Sequence, residues 1–73
     1  MNSFQLIGKN YQDTADVPKE DDIYYRCTDC GDIIPSVPDD NIGCKCGHVY
    51  IEKDLWRLVV MDFGKLEVLR KTS

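Results

Sequence analysis

The 73-residue sequence has no long apolar run, few positive charges and a single histidine. No apolar stretch approaches the roughly 20 residues of a membrane-spanning helix, and residues 1–4 lack the basic or apolar character of a signal sequence. We therefore expect a cytoplasmic protein. The length excludes a dinucleotide-binding fold, a transporter and a large active site. We also expect no enzymatic activity, because His48 would need an oriented partner and a pocket that so short a chain has little material to build.

Four cysteines occur in two close pairs. Cys27 and Cys30 form a CxxCG segment, and Cys44 and Cys46 form a CxCG segment. Two such pairs across a short loop are typical of a tetrahedral zinc site, because each tight turn can direct two thiolates at one point. The glycine after each pair permits the positive φ of such a turn. We predict that all four cysteines bind structural Zn²⁺, with His48 in place of one cysteine, or cysteines without metal, as the alternatives.

No window of about 12 residues carries a helical stripe. Short β-branched and aromatic runs instead predict strands, and these runs lie at 4–7, 23–26, 48–51, 55–61 and 66–70. Gly8 is expected to end the first strand, Thr14 could cap a short helix at 11–22, and the last strand is expected to form a hairpin with 55–61. The prediction is a small all-β, antiparallel fold with one domain over 1–73. Within it, 1–22 is a first strand and acidic loop, 23–61 is the zinc-binding core, and 62–73 is the hairpin strand.

The negative charge is concentrated in the first part of the chain. The formal net charge of −4 divides into −6 for residues 1–40 and +2 for residues 41–73. Four thiolates around one Zn²⁺ would add a local charge of about −2. Such a surface repels phosphate backbones and attracts basic partners. Asp29 and Asp32, which flank the first cysteine pair, are expected to be solvated.

The two cysteine segments resemble the paired zinc knuckles of the zinc-ribbon superfamily, over about residues 23–61. The resemblance implies a zinc-binding antiparallel β architecture, but that superfamily has many functions. The segments Ile33-Ile34-Pro35-Ser36 and Asp40-Asn41-Ile42-Gly43-Cys44 also resemble parts of small bacterial proteins from toxin–immunity loci. This second resemblance implies a protein that binds and neutralises a cognate toxin.

The leading functional hypothesis is an acidic zinc-binding module for protein interaction, namely an immunity protein that neutralises a toxin such as a nuclease. A toxin with a basic phosphate-binding cleft would attract the acidic surface. Aromatic residues often contribute most of the affinity of such interfaces. The predicted partner-binding residues are Asp21, Asp22, Asp39, Asp40 and Trp56.

The alternative hypothesis is a zinc-ribbon adaptor that associates with nucleic acid or RNA polymerase. It depends on an excess of positive charge in residues 45–71, where basic side chains could form a stripe. The candidates for that stripe are Lys45, Lys53, Arg57, Lys65 and Arg70. The acidic net charge makes this alternative the weaker of the two.

Overall fold

Seven short strands make up most of the regular structure in the described residues. They were located in a computed structural model that describes residues 3–55 and 57–72. The strands are β1 (Phe4–Lys9), β2 (Ile23–Cys27), β3 (Ile33–Pro35), β4 (Ile42–Gly43), β5 (Val49–Glu52), β6 (Arg57–Val60) and β7 (Leu66–Lys71). Single 3₁₀ turns occur at Thr14–Asp16, Lys53–Leu55 and Phe63–Lys65, and no α-helix is found in the described part of the chain. Among these residues there is accordingly no helix that could span a membrane.

The strands form two antiparallel sheets. The first sheet has the order β1-β7-β2-β3 and the second has the order β4-β5-β6. Because side chains alternate between the two faces of a strand, β2 buries Ile23, Tyr25 and Cys27, and β5 buries Val49 and Ile51. These residues belong to one core cluster, so both sheets contribute to the same core. The predicted small all-β antiparallel fold is confirmed.

The last strand does not form the predicted hairpin with β6. β7 lies in the other sheet, between β1 and β2, where Leu66 is opposite Cys27 and Leu69 is opposite Leu6. The reason is burial: Leu66, Val68 and Leu69 are all buried, which is typical of a central strand rather than an edge strand. The 3₁₀ turn at Phe63–Lys65 therefore transfers the chain between sheets instead of reversing it within one.

Two local predictions about the first part of the chain were also wrong. The first strand continues through Gly8 to Lys9, with a bulge between Leu6 and Gly8. A Cβ at Gly8 would lie 1.9 Å from the hydroxyl oxygen of Tyr11, so a larger residue there would require the Tyr11 side chain to move. In the loop that follows, Asp13 rather than Thr14 is the capping residue, and its carboxylate accepts the Ala15 N–H at 3.1 Å.

Candidate metal centre

The four cysteines meet where the two sheets adjoin. Cys27 is the last residue of β2 and Cys30 follows in the turn before β3, so this pair belongs to the first sheet. Cys44 follows β4 and Cys46 precedes β5, so the second pair belongs to the second sheet. The four Sγ atoms all lie within 4.8 Å of one another. This cysteine cluster is compatible with a zinc-ribbon-like site, and a metal bound there would link the two sheets.

The spacing of the sulfurs suits one tetrahedral ion. Sγ of Cys46 lies 3.3 Å from Sγ of Cys27 and 3.5 Å from Sγ of Cys44. Zn–S bonds of about 2.3 Å place tetrahedral sulfurs roughly 3.8 Å apart, so a few tenths of an ångström of expansion would admit the ion. None of the four cysteines is in a disulfide. Four thiolates are a donor set that fits Zn²⁺, but the identity of the metal and its ligands stays a prediction.

Two glycines give both knuckles their shape. Gly31 has φ 77° and Gly47 has φ 76°, which confirms the predicted positive φ of both turns. The Gly31 N–H donates to the Cys27 carbonyl at 2.8 Å, and the Gly47 N–H donates to the Cys44 carbonyl at 3.0 Å. Each pair of cysteines is thus enclosed by a backbone hydrogen bond that ends at the glycine. The CxC pair has one residue fewer between the bonded groups and forms the tighter turn.

Backbone N–H groups stabilise negative charge within the cysteine cluster. Hydrogen bonds from the backbone of Asp32 and then of Cys46 lower the pKa of the Cys30 thiol to about 6. The backbone of His48 lowers the pKa of Cys46, but desolvation and the neighbouring cysteine side chains outweigh it and raise that pKa to about 12. The cluster therefore ionises in steps, because neighbouring thiolates repel one another. A divalent cation would remove that repulsion and allow every sulfur to bind as a thiolate.

His48 and Asp29 form a polar shell beside Cys46. Nδ1 of His48 lies 2.9 Å from a carboxylate oxygen of Asp29 and 3.2 Å from Sγ of Cys46. Because an ionised carboxylate only accepts hydrogen bonds, the contact with Asp29 requires a hydrogen on Nδ1. Lys65 Nζ lies 2.8 and 2.9 Å from the two Asp29 oxygens and, mainly through these bonds, lowers the pKa of that carboxyl group. In this arrangement His48 contacts Cys46, one of the four predicted ligands.

The prediction that Asp29 and Asp32 are simply solvated was wrong, because both carboxylates contact other residues. Besides the Asp29 contacts, a carboxylate oxygen of Asp32 accepts the backbone N–H of Lys45 at 2.9 Å. Asp32 therefore joins the first knuckle to the second without any metal. No sequence signal pairs Asp29 with Lys65 or Asp32 with Lys45, because the first contact depends on the pairing of β7 with β2 and the second on how the two sheets adjoin.

The predicted partner-binding acids occupy two separate loops. Asp21, Asp39 and Asp40 are exposed, whereas Asp22 is half-buried and pairs with Arg70 at 3.1 Å. The Asp40 carboxylate accepts the Asn41 N–H at 2.7 Å. Trp56 lies outside the described residues. The role of all five residues in binding stays a prediction.

Comparison with known proteins yields no relative for this chain: no family model, no curated protein and no solved structure matches it significantly.

Proposed function

We propose that this protein is an acidic, zinc-stabilised module that binds a basic protein, and that its partner is a toxin, such as a nuclease, which it neutralises as an immunity protein. The four cysteines would saturate a tetrahedral zinc, which leaves no coordination position for substrate. The metal would then have a structural role, and the protein would act by binding rather than by catalysis. A reducing, cytoplasmic compartment would keep the thiols available for metal.

The observation that carries this proposal is a buried serine between two acidic loops. The Ser36 hydroxyl donates to the Glu20 carbonyl at 2.6 Å and accepts the Glu20 N–H at 3.2 Å. Its own N–H donates to the Ile23 carbonyl at 3.0 Å, and its side chain is 1 % exposed. Ser36 therefore holds the loop that ends at Glu20 and Asp21 beside the loop that contains Asp39 and Asp40.

Together the two loops form what we call the acidic face. Its six carboxylate residues are all exposed, and they are Asp13, Asp16, Glu20, Asp21, Asp39 and Asp40. Asp40 is four residues beyond Ser36, so its Cα lies at most about 14 Å from that of Ser36. This upper limit exceeds the screening length of about 8 Å at physiological ionic strength. We therefore expect the acidic face to attract a basic surface most strongly at low salt, where the screening length is longer.

The basic side chains of the nucleic-acid alternative mostly contact acidic or carbonyl oxygens of the chain itself. Lys65 pairs with Asp29 and Arg70 pairs with Asp22, at 2.8 and 3.1 Å. The Lys45 ammonium is 4.0 Å from an Asp32 oxygen, and Lys53 donates to the carbonyl of Asp39. Because most of these cations face acidic or carbonyl oxygens, they attract phosphate less strongly than solvated cations would. We therefore favour the protein partner.

The test has a capture step and a binding step. A tagged copy is used to isolate its partner from the cells that encode it, and the purified partner is titrated with variants of the chain. We expect D21N/D40N to weaken binding at least tenfold, mainly through slower association at low salt. The control I33K/M61K changes the net charge equally, but it alters exposed residues at the cysteine end of the fold.

The two parts of the proposal can fail separately. Equal affinity of D21N/D40N and the parent protein, or an equal loss in I33K/M61K, would remove the acidic face as the binding site. The toxin assignment requires that the captured protein arrests growth when produced alone and that co-production of this chain restores growth. A captured protein that is harmless would contradict the immunity role, even if it binds the acidic face.

A further inference from the structure

We propose that Asp29, Cys46 and His48 form a second, exposed site for a soft divalent cation, and that this site shares the Cys46 thiolate with the four-cysteine cluster. We call these three residues the mixed site. This inference rests on the metal-binding cluster of the proposed function, but it does not depend on the partner. The result would be two metal ions bridged by one sulfur.

The candidate ligand atoms of the mixed site lie close together without a bound ion. One carboxylate oxygen of Asp29, Sγ of Cys46 and a ring nitrogen of His48 all lie within 4.8 Å of one another. Around a tetrahedral zinc, sulfur and nitrogen ligands would be roughly 3.6 Å apart, and nitrogen and oxygen ligands roughly 3.4 Å apart. The observed separations are 3.2 and 2.9 Å. An expansion of about half an ångström therefore admits an ion.

The ion would take the place of one hydrogen. Nδ1 of His48 lies 2.9 Å from an oxygen of Asp29 and 3.2 Å from Sγ of Cys46, and its contact with the ionised carboxylate requires a hydrogen on Nδ1. Binding of a divalent cation at Nδ1 would release that proton to solvent, because only the unprotonated nitrogen has a lone pair for the metal. No large rearrangement of the backbone is required.

The local charge favours a second cation. A zinc ion with four thiolates carries a charge of about −2. The ion pair of Asp29 with Lys65 has no net charge, so it leaves this local charge unchanged. Lys65 is the competitor, because its ammonium group contacts both oxygens of Asp29. Its side chain is 42 % exposed, and exposed ion pairs contribute little stability. A divalent ion can therefore displace the ammonium group.

The mixed site and the four-cysteine cluster differ in solvent exposure. Cys46 and Asp29 are exposed and His48 is half-buried, whereas Cys27 and Cys44 are buried. An ion in the mixed site would have three protein ligands and would complete its shell with water. Thiolate and imidazole ligands select Zn²⁺ or Cd²⁺ over Mg²⁺ or Ca²⁺. We expect weaker and faster binding here than in the four-cysteine cluster.

The experiment is a titration of the full chain with ¹¹³Cd²⁺, followed by cadmium NMR and native mass spectrometry. We expect two ions per chain at saturation, with one resonance typical of four sulfur ligands and a second typical of mixed ligands. Scalar coupling between the two resonances would identify the shared sulfur. D29N and H48Q should each weaken the second ion at least tenfold and leave the first in place, whereas K65M should strengthen it.

D32N is the matched control, because it removes one carboxylate charge beside the same knuckle without touching the mixed site. A single ion per chain at saturating Cd²⁺ would refute the mixed site while leaving the four-cysteine cluster intact. The same conclusion would follow if D29N and H48Q bound the second ion as tightly as D32N. If no ion bound at all, both the cluster and the mixed site would be wrong.

Discussion

Replacing Ser36 with alanine tests the contact that joins the two acidic loops. The Ser36 hydroxyl makes two hydrogen bonds with the backbone of Glu20, at 2.6 and 3.2 Å, in a side chain that is 1 % exposed. Alanine removes both bonds and leaves the Glu20 N–H and carbonyl without this partner. At about 1 kcal/mol net for each bond, S36A should lower the free energy of unfolding by about 2 kcal/mol. For a domain of this size, that corresponds to a fall in Tm of about 8–16 °C.

The assay is urea and thermal unfolding followed by circular dichroism, at a fixed concentration of free zinc because bound metal shifts the apparent stability. T72A is the matched control, since the exposed Thr72 hydroxyl also donates to a backbone carbonyl, that of Ser3 at 3.2 Å. The control should change stability by less than about 0.5 kcal/mol. If S36A were equally harmless, the serine would not be what holds the acidic loops together.

Three further predictions concern the metal, a knuckle and a buried phenol. Chelation should unfold the domain, because structural zinc contributes on the order of 10 kcal/mol; an unchanged dichroism spectrum after metal loss would contradict a structural site. G47A should lower the free energy of unfolding by about 1 kcal/mol. The cost comes from the φ of 76° and not from a clash, because no atom lies within 4 Å of an added Cβ. An unchanged stability of G47A would mean that the turn relaxes. Burial raises the pKa of Tyr25 to about 12, so the folded state should lose stability as pH rises from about 10 through 12. Ultraviolet titration should show this late ionisation, and Y25F should remove the alkaline loss.

The cysteine cluster could be predicted from the sequence because its geometry is local. A CxxCG or CxCG segment fixes the turn by itself, and the positive φ of Gly31 and Gly47 follows from the residue type. That β2 is a strand could also be predicted, since Ile23, Tyr24 and Tyr25 are β-branched or aromatic. These features depend on a few adjacent residues.

The strand order and the polar contacts around the cysteine cluster could not be predicted in this way. β7 is separated from β2 by about half of the chain, and its pairing depends on which strands bury Leu66 and Val68. The hairpin prediction assumed that neighbours in sequence become neighbours in the sheet, which is common but not general. Asp29 reaches Lys65 only because this pairing brings the turn before β7 beside the first knuckle, where the Thr28 N–H donates to the Lys65 carbonyl.

The position of β7 between β1 and β2 has a consequence for how the chain folds during synthesis. Of the seven described strands, the one that completes the first sheet is the last to be synthesised. Until it emerges, β1 and β2 have no common partner, and the first sheet stays incomplete. We therefore expect this sheet to form only after β7 has been made, on the slower, millisecond-to-second scale of proteins dominated by distant strand pairings.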